Sequence, residues 1–329
     1  MHTETKEKQI RQLNIEDTPK GNIGEYWLHL ANNGIGEPIR LPVMVARGIE
    51  DGPVLGLTAA IHGNELNGIP VIQQLFKEMD VRQLRGSVIA CLATNVPGLL
   101  LDQRKFNDGT DLNHIAPGKA NGDSAQIYMA RLVERFLTPL QYLIDIHTAS
   151  FGRINSYYIR ANMSKEEPSR MARLQNPEII LDNPAHDGTF RGTAMGMGIH
   201  SITLELKDPN LFQFDVVEEA LVGVRNILYD LKMMEGNIVS PEVHTILCDR
   251  SYWIYTDEGG ILKVYPDVKQ IVKKGELIAD VRTIFGKVIK QYISPEDGIV
   301  IGKSVNPINQ SGSRILHLGI NPREIPGIV

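Results

Sequence analysis

Apolar positions follow two regimes along this chain, and the change between them marks its organisation. Residues 1–22 are polar and read as a mobile N-terminal arm. Residues 25–30 and 39–46 then read as strands. The turn Asp51-Gly52-Pro53 leads into 54–61, a run apolar on both faces, as in a central strand covered by helices. Ile69, Val71, Ile72, Leu75 and Phe76 fall on one side of a helix over 68–80. Residues 86–94 form another two-faced run. A helix over 125–136 follows, with Ile127, Met129, Leu132, Val133 and Phe136 inward. Strands are predicted over 141–147, 156–160 and 200–206, and an amphipathic helix over 216–234. This alternation predicts an α/β layer fold with a mixed sheet and helices on both faces, spanning 23–240.

From about residue 245 the helical period disappears. Gly259-Gly260, Pro266-Asp267, Lys274-Gly275, Asp297-Gly298 and Ser311-Gly312 punctuate short apolar runs. Turn signals at that spacing predict a smaller all-β barrel or sandwich over 245–329.

Composition narrows the partners. The chain has 329 residues, 42% hydrophobic and 22% charged, with a formal net charge of −5. These are values of a globular protein, and they carry no global positive field for a nucleic-acid backbone. No uninterrupted apolar run reaches the length of a membrane span. The charged N-terminus has no apolar core of a signal peptide, so the expected location is the cytoplasm. Cys91 and Cys248 are the two cysteines. Cys91 lies in an apolar run and reads as a small buried hydrophobe, with no disulfide framework implied.

The densest chemical signal is Ala60-Ile61-His62-Gly63-Asn64-Glu65, directly after the central strand. His62 and Glu65 are placed together at the C-terminal edge of the sheet, where open α/β sheets bind ligands. His147 ends another apolar strand. Two imidazoles and a carboxylate make a His₂Glu set that leaves a fourth zinc position open. Each histidine alone is more simply a polar residue at a strand end; the metal reading rests on the set. Asp145 shares a strand face with His147 and reads either as its orienting partner or as a strand-end hydrogen-bond acceptor.

His62-x-x-Glu65 with a distant His147 resembles the zinc carboxypeptidase superfamily, and within it the succinylglutamate desuccinylase/aspartoacylase family. Asn95-x-Pro97-Gly98, Arg104 followed by Asp111-Leu112-Asn113, and Thr203-Leu204-Glu205 carry the same resemblance. It spans roughly residues 38–329, the C-terminal part being similar to that family's appended β-domain. The resemblance implies one Zn²⁺ per chain on His62, Glu65 and His147. It implies Glu205 as general base, a charged residue in an apolar strand that would otherwise need a salt-bridge partner. Arg104 would stabilise the oxyanion, and Asn113 would help hold a substrate carboxylate.

One departure stands out. The family's Asp-Leu-Asn-Arg reads Asp111-Leu112-Asn113-His114 here, so a titratable imidazole replaces an always-charged fork. Arg153, Arg160 and Arg191 are candidate replacements. The expected activity is removal of an acetyl or succinyl group from the nitrogen of a small amino acid or related amine. A zinc carboxypeptidase for short peptides is the alternative, with a non-catalytic zinc-binding module behind it. The pattern Val272-Lys273-Lys274-Gly275 also resembles biotinyl or lipoyl carrier barrels, but Thr283-Ile284-Phe285-Gly286-Lys287 lacks a carrier lysine's flanks. The expected partner is a small N-acyl amino acid, with neither nucleic acid nor membrane; homo-oligomerisation is left open.

Overall fold

The computed structural model describes residues 8–185, 188–240 and 244–327. Among them, an eleven-stranded mixed sheet forms the spine. Its middle runs Pro38–Arg47, Arg85–Cys91, Glu50–Ala59, Tyr142–His147, His200–Leu206, Tyr157–Ala161 and Ile179–Asp182. The four strands from Arg85–Cys91 to His200–Leu206 are mutually parallel, and Tyr157–Ala161 joins antiparallel. Their C-terminal ends therefore meet along one edge. Register places Thr58 beside Asp145 and Glu205 beside His147.

Strand alternation sorts the core into two layers. Leu55, Leu57, Ala59, Ile144 and Ile146 face the helices Gly68–Glu78, Glu166–Leu174 and Phe214–Asp230. Leu143 and Ile89 face the helices Ser124–Leu132 and Phe190–Gly196. Asp145 and His147 have the parity of Leu143, so they belong to the second face. The layered α/β architecture follows the sequence periodicity. The Glu166–Leu174 and Phe190–Gly196 helices and the Ile179–Asp182 strand between them are additions to what periodicity predicted.

Both ends of the big sheet recruit distant chain. Lys8–Ile10, within the stretch expected as an arm, lies parallel to Asn22–Asn32. At the other end Thr245–Cys248 and Arg323–Ile325 extend the sheet beyond Ile179–Asp182. The remaining C-terminal strands form two smaller antiparallel sheets around Val272, Ile278, Val300, Leu316 and Leu318. Arg153–Asn155 reaches out to pair with Gly298–Ser304, so the two parts of the chain share hydrogen bonds right beside the strand ends. Among the described residues no helix is long and apolar enough to cross a membrane.

Candidate active site

The chain turns sharply where the central strand ends. Ala60 adopts a left-handed φ of 53°, costly for a residue with a Cβ. Hydrogen bonds from Thr94 and Asn95 to the carbonyls of Ala59 and Ala60 hold it there. Beyond it, a Cβ on Gly63 would lie 2.0 Å from the Gly98 carbonyl carbon. Only glycine lets the 62–65 turn approach the Asn95-Val96-Pro97-Gly98 turn so closely. Asn95 locks its own turn by accepting from the Gly98 N–H at 2.9 Å. Lys207, just after Glu205, is also left-handed (φ 52°), and its carbonyl accepts from Ala149 two residues after His147.

These turns bring His62, Glu65 and His147 together, all buried. One potential ligand atom from each lies within 4.8 Å of the others. His62 Nδ1 is 2.8 Å from Glu65 Oε1, and His147 Nδ1 is 3.0 Å from Glu65 Oε2. The outer nitrogens face aspartates: His62 Nε2 is 3.2 Å from Asp111 Oδ1, and His147 Nε2 is 2.8 Å from Asp145 Oδ2. Asp145 in turn accepts from the Thr58 hydroxyl at 2.7 Å. An imidazole that donates Nε2–H to a carboxylate keeps its Nδ1 lone pair free and aimed inward. His62 Nδ1 is indeed buried with no partner in hydrogen-bond geometry, despite its 2.8 Å separation from Glu65.

Charge points the same way. Glu65, Asp111 and Asp145 are carboxylates against one guanidinium, Arg104, which donates to Glu65 at 2.9 Å and to Asp111 at 3.0 Å. With neutral imidazoles the cluster carries two excess negative charges. Burial alone would push the Glu65 carboxyl up, but the two imidazoles overcome it and hold Glu65 well below the usual carboxylate range. Burial likewise opposes a charged His147, yet Asp145 and Glu65 raise its pKa above the usual histidine value. A divalent cation relieves the same imbalance that protons on the imidazoles would. The donor set therefore fits a metal such as zinc.

Above the cluster lies a cavity of about 300 Å³. Glu205 lines it, its two oxygens held at 3.3 Å by Arg160 Nε and Asn155 Nδ2. The salt bridge that competed with a catalytic reading of Glu205 thus exists, and it orients the carboxylate toward the cavity rather than withdrawing it. Asn113 also lines the cavity; its Oδ1 accepts from the Phe190 N–H at 3.0 Å, which leaves its amide N–H groups to face outward. His114 borders the cavity with its side chain 64% exposed, 4.0 Å from Asp111. Arg191 is the opposite case. It is 5% exposed, with Nη2 bonded to Asn183 and Nη1 without a hydrogen-bond partner among the described residues. Burial lowers its pKa to about 10.

Sequence reasoning missed Asp111 as a bridge between His62 and Arg104. It also missed Trp253 and Arg314, which line the cavity from the C-terminal part. Asp111 was visible in the Asp-Leu-Asn motif. Trp253 and Arg314 lie far along the chain, in alternating strands, and carry no local signal.

Parallel strand ends bear a buried His/Glu/His cluster beneath a polar cavity, which makes this a layered α/β protein with a candidate metal site. The family profile described as the Succinylglutamate desuccinylase/Aspartoacylase catalytic domain matches residues 51–231. The chain belongs to this family of N-acyl amino acid deacylases. It is 22% identical over 279 residues to the N-alpha-acetyl-L-2,4-diaminobutyric acid deacetylase of Halomonas elongata, covering 80% of this chain and 81% of that one. Among solved structures it is similar to the product-bound ectoine utilization protein EutE of Ruegeria pomeroyi, with a TM-score of 0.83 and 19% identity over 92% of this chain and 97% of that one. The succinylglutamate desuccinylase/aspartoacylase of Rhodobacter sphaeroides also gives 0.83, at 18% identity, over 96% and 100%.

Proposed function

We propose that this chain is a zinc-dependent hydrolase that removes a short acyl group from the nitrogen of a small amino acid. The observation that carries this reading is the convergence of His62 Nδ1, Glu65 and His147 Nδ1 in a buried cluster with excess negative charge, directly beneath a cavity that Glu205 enters. His62, Glu65 and His147 would hold the metal, whose bound form supplies a Lewis acid that acidifies water and polarises an amide carbonyl.

The chain's own groups supply the remainder. Asp111 and Asp145 fix the tautomer of the two imidazoles. Arg104 stands beside Glu65, where its guanidinium stabilises charge developing on the amide oxygen. Glu205 takes the proton of the attacking water and returns it to the leaving amine nitrogen, and Arg160 and Asn155 keep it aimed. The substrate carboxylate lies against Asn113 and Arg191. His114 is too exposed to serve as a fixed clamp, whereas Arg191 has a buried Nη1 with no hydrogen-bond partner among the described residues. The Asn113–Phe190 hydrogen bond ties the two carboxylate-binding groups into one unit.

A cavity of about 300 Å³, walled by Trp253 and Arg314, suits a single small substrate better than a peptide chain. The test is a screen of N-acetyl and N-succinyl amino acids and short peptides, monitoring amine release by zinc-loaded protein. Turnover of N-acyl amino acids that stops on chelation is expected. Turnover restricted to peptides would favour the carboxypeptidase alternative, and no metal-dependent amide hydrolysis would overturn both.

A further inference from the structure

Both groups that hold Glu205 lean on the C-terminal part of the chain. Asn155, whose Nδ2 donates to Glu205, ends the short strand Arg153–Asn155 that pairs with Gly298–Ser304. Gly302 is its partner there in register, and on the other side of Gly302 lies His317, in Arg314–Ile320. His317 is in turn opposite Trp253, in Arg250–Tyr255. A single row, Asn155–Gly302–His317–Trp253, thus runs across these strands and begins at the amide that donates to Glu205. The second hold meets the same row. Arg160 donates to Glu205 through Nε, and through Nη2 to the Tyr158 hydroxyl at 2.6 Å. Tyr158 is opposite Glu205 in register and sets its ring edge-on to His317 at 6.0 Å.

The row is tightest at Gly302. The strand bulges between Val300 and Gly302, and the Ile301 carbonyl in the bulge accepts from the Ser156 N–H and hydroxyl at 2.9 and 3.0 Å. Those bonds pin the backbone beside Asn155 to the C-terminal sheet. A Cβ on Gly302 would lie 2.3 Å from Asn155 Oδ1 and 2.9 Å from the Ile154 carbonyl oxygen. The φ of Gly302 is not left-handed, so glycine serves close approach here and not backbone freedom. With its backbone pinned, Asn155 can avoid a methyl at 302 only by rotating its side chain, which carries Nδ2 off Glu205.

We propose that Gly302 is a positioning residue for the hydrolysis: it lets the C-terminal sheet close onto Asn155, and so keeps the Glu205 carboxylate aimed into the cavity. Glutamate has several rotatable bonds, and an unheld carboxylate spreads over orientations that miss the attacking water. The C-terminal part of the chain thereby takes part in the chemistry without touching the substrate at this point. This inference rests on the reading of Glu205 as general base.

The experiment compares zinc-loaded wild type, Gly302→Ala, Asn155→Ala and the Gly302→Ala/Asn155→Ala double variant, with a thermal melt of each. kcat and KM are measured on whichever N-acetyl or N-succinyl amino acid the substrate screen finds turned over fastest. Each single variant should lower kcat about tenfold or more, because misplacing a catalytic group by about 1 Å can cost about 10²-fold. KM should stay within about threefold. In the double variant the new methyl has no carboxamide to displace, so Gly302→Ala should cost less than about twofold beyond Asn155→Ala. Equal losses in both backgrounds would show a merely structural role and overturn the proposal, as would wild-type kcat in Gly302→Ala. If Gly302→Ala melts too low to assay, the double variant should recover stability, since the clash is gone; a double variant melting as low overturns the proposal. Crystal structures give a readout independent of turnover. In Gly302→Ala, Asn155 Nδ2 should lie beyond the roughly 3.5 Å reach of a hydrogen bond from Glu205; a retained contact overturns the proposal. If no N-acyl amino acid is turned over, the deacylase reading fails, and the structures and melts alone decide whether Gly302 positions Glu205.

Discussion

Replacing Glu205 by glutamine separates proton transfer from every other task of the cavity. Glutamine has nearly the same shape and keeps one oxygen that accepts from Arg160 or Asn155, but it cannot take a proton from water. Both contacts are 3.3 Å long, well beyond the roughly 2.7–2.9 Å of a strong charge-assisted pair. Weakening them should cost about 1 kcal/mol, small against the roughly 5–15 kcal/mol that keeps a domain folded. Loss of a general base costs about 10²–10⁴ in rate, or roughly 3–5 kcal/mol of barrier. Catalysis should therefore collapse in a protein that remains folded. Alanine is a poorer choice, because it would leave Arg160 beside Tyr158 with no carboxylate at all. Glu205 is outside the His62–Glu65–His147 group, so metal content should not change. The assay combines kcat and KM for amine release, elemental analysis and a thermal melt on the same preparation. The expected result is kcat down by two to four orders of magnitude (about 10²–10⁴), KM nearly unchanged, and a full complement of metal. A folded Glu205→Gln protein with near wild-type kcat, or one stripped of metal, would refute the role given to Glu205.

Other outcomes follow from particular contacts. Glu65→Gln removes a proposed ligand that touches both imidazoles, so metal and activity should be lost together; retention of either alone in elemental and kinetic measurements would contradict the ligand role. Gly63→Ala places a Cβ against the Gly98 backbone and should cost about 2–3 kcal/mol or more in denaturant melts; an unchanged melt would mean that the two turns are not in rigid contact. His317 is buried, and burial reinforced by Arg160 and Arg314 holds its pKa well below 6.5. Because the folded value is depressed, its stabilising effect is present above the unfolded pKa and is lost as pH falls below about 6.5. Wild type should then lose up to about 1.4 kcal/mol per pH unit more than His317→Gln in that window; parallel stability–pH profiles would show that the ring is not kept neutral by the fold.

The sequence conveyed the frame of the site well, for a physical reason. The strands that carry it are covered on both faces, so they are uniformly apolar, and a polar residue at their ends is conspicuous. His62, Glu65, His147 and Glu205 all stand out in this way. The helix at Phe190–Gly196 was invisible because it is short and interrupted by Gly192. The strand that precedes it, Ile179–Asp182, is a four-residue run among polar neighbours. Trp253 and Arg314 enter the cavity only through tertiary packing, and no spacing along the chain reports that. The first and last strands of the C-terminal part join the large sheet for a similar reason: edge pairing depends on backbone groups, which composition does not record.

The central claim is that a metal sits on His62, Glu65 and His147 and that amide hydrolysis depends on it. The most direct measurement is anomalous diffraction at the zinc absorption edge, on crystals of protein purified without chelator or reconstituted with Zn²⁺. The predicted result is one anomalous peak per chain within bonding distance of His62 Nδ1, the Glu65 carboxylate and His147 Nδ1. The same preparation should lose its hydrolase activity on chelation and regain it with Zn²⁺. No peak at that position after reconstitution, or a peak elsewhere with activity retained, would contradict it.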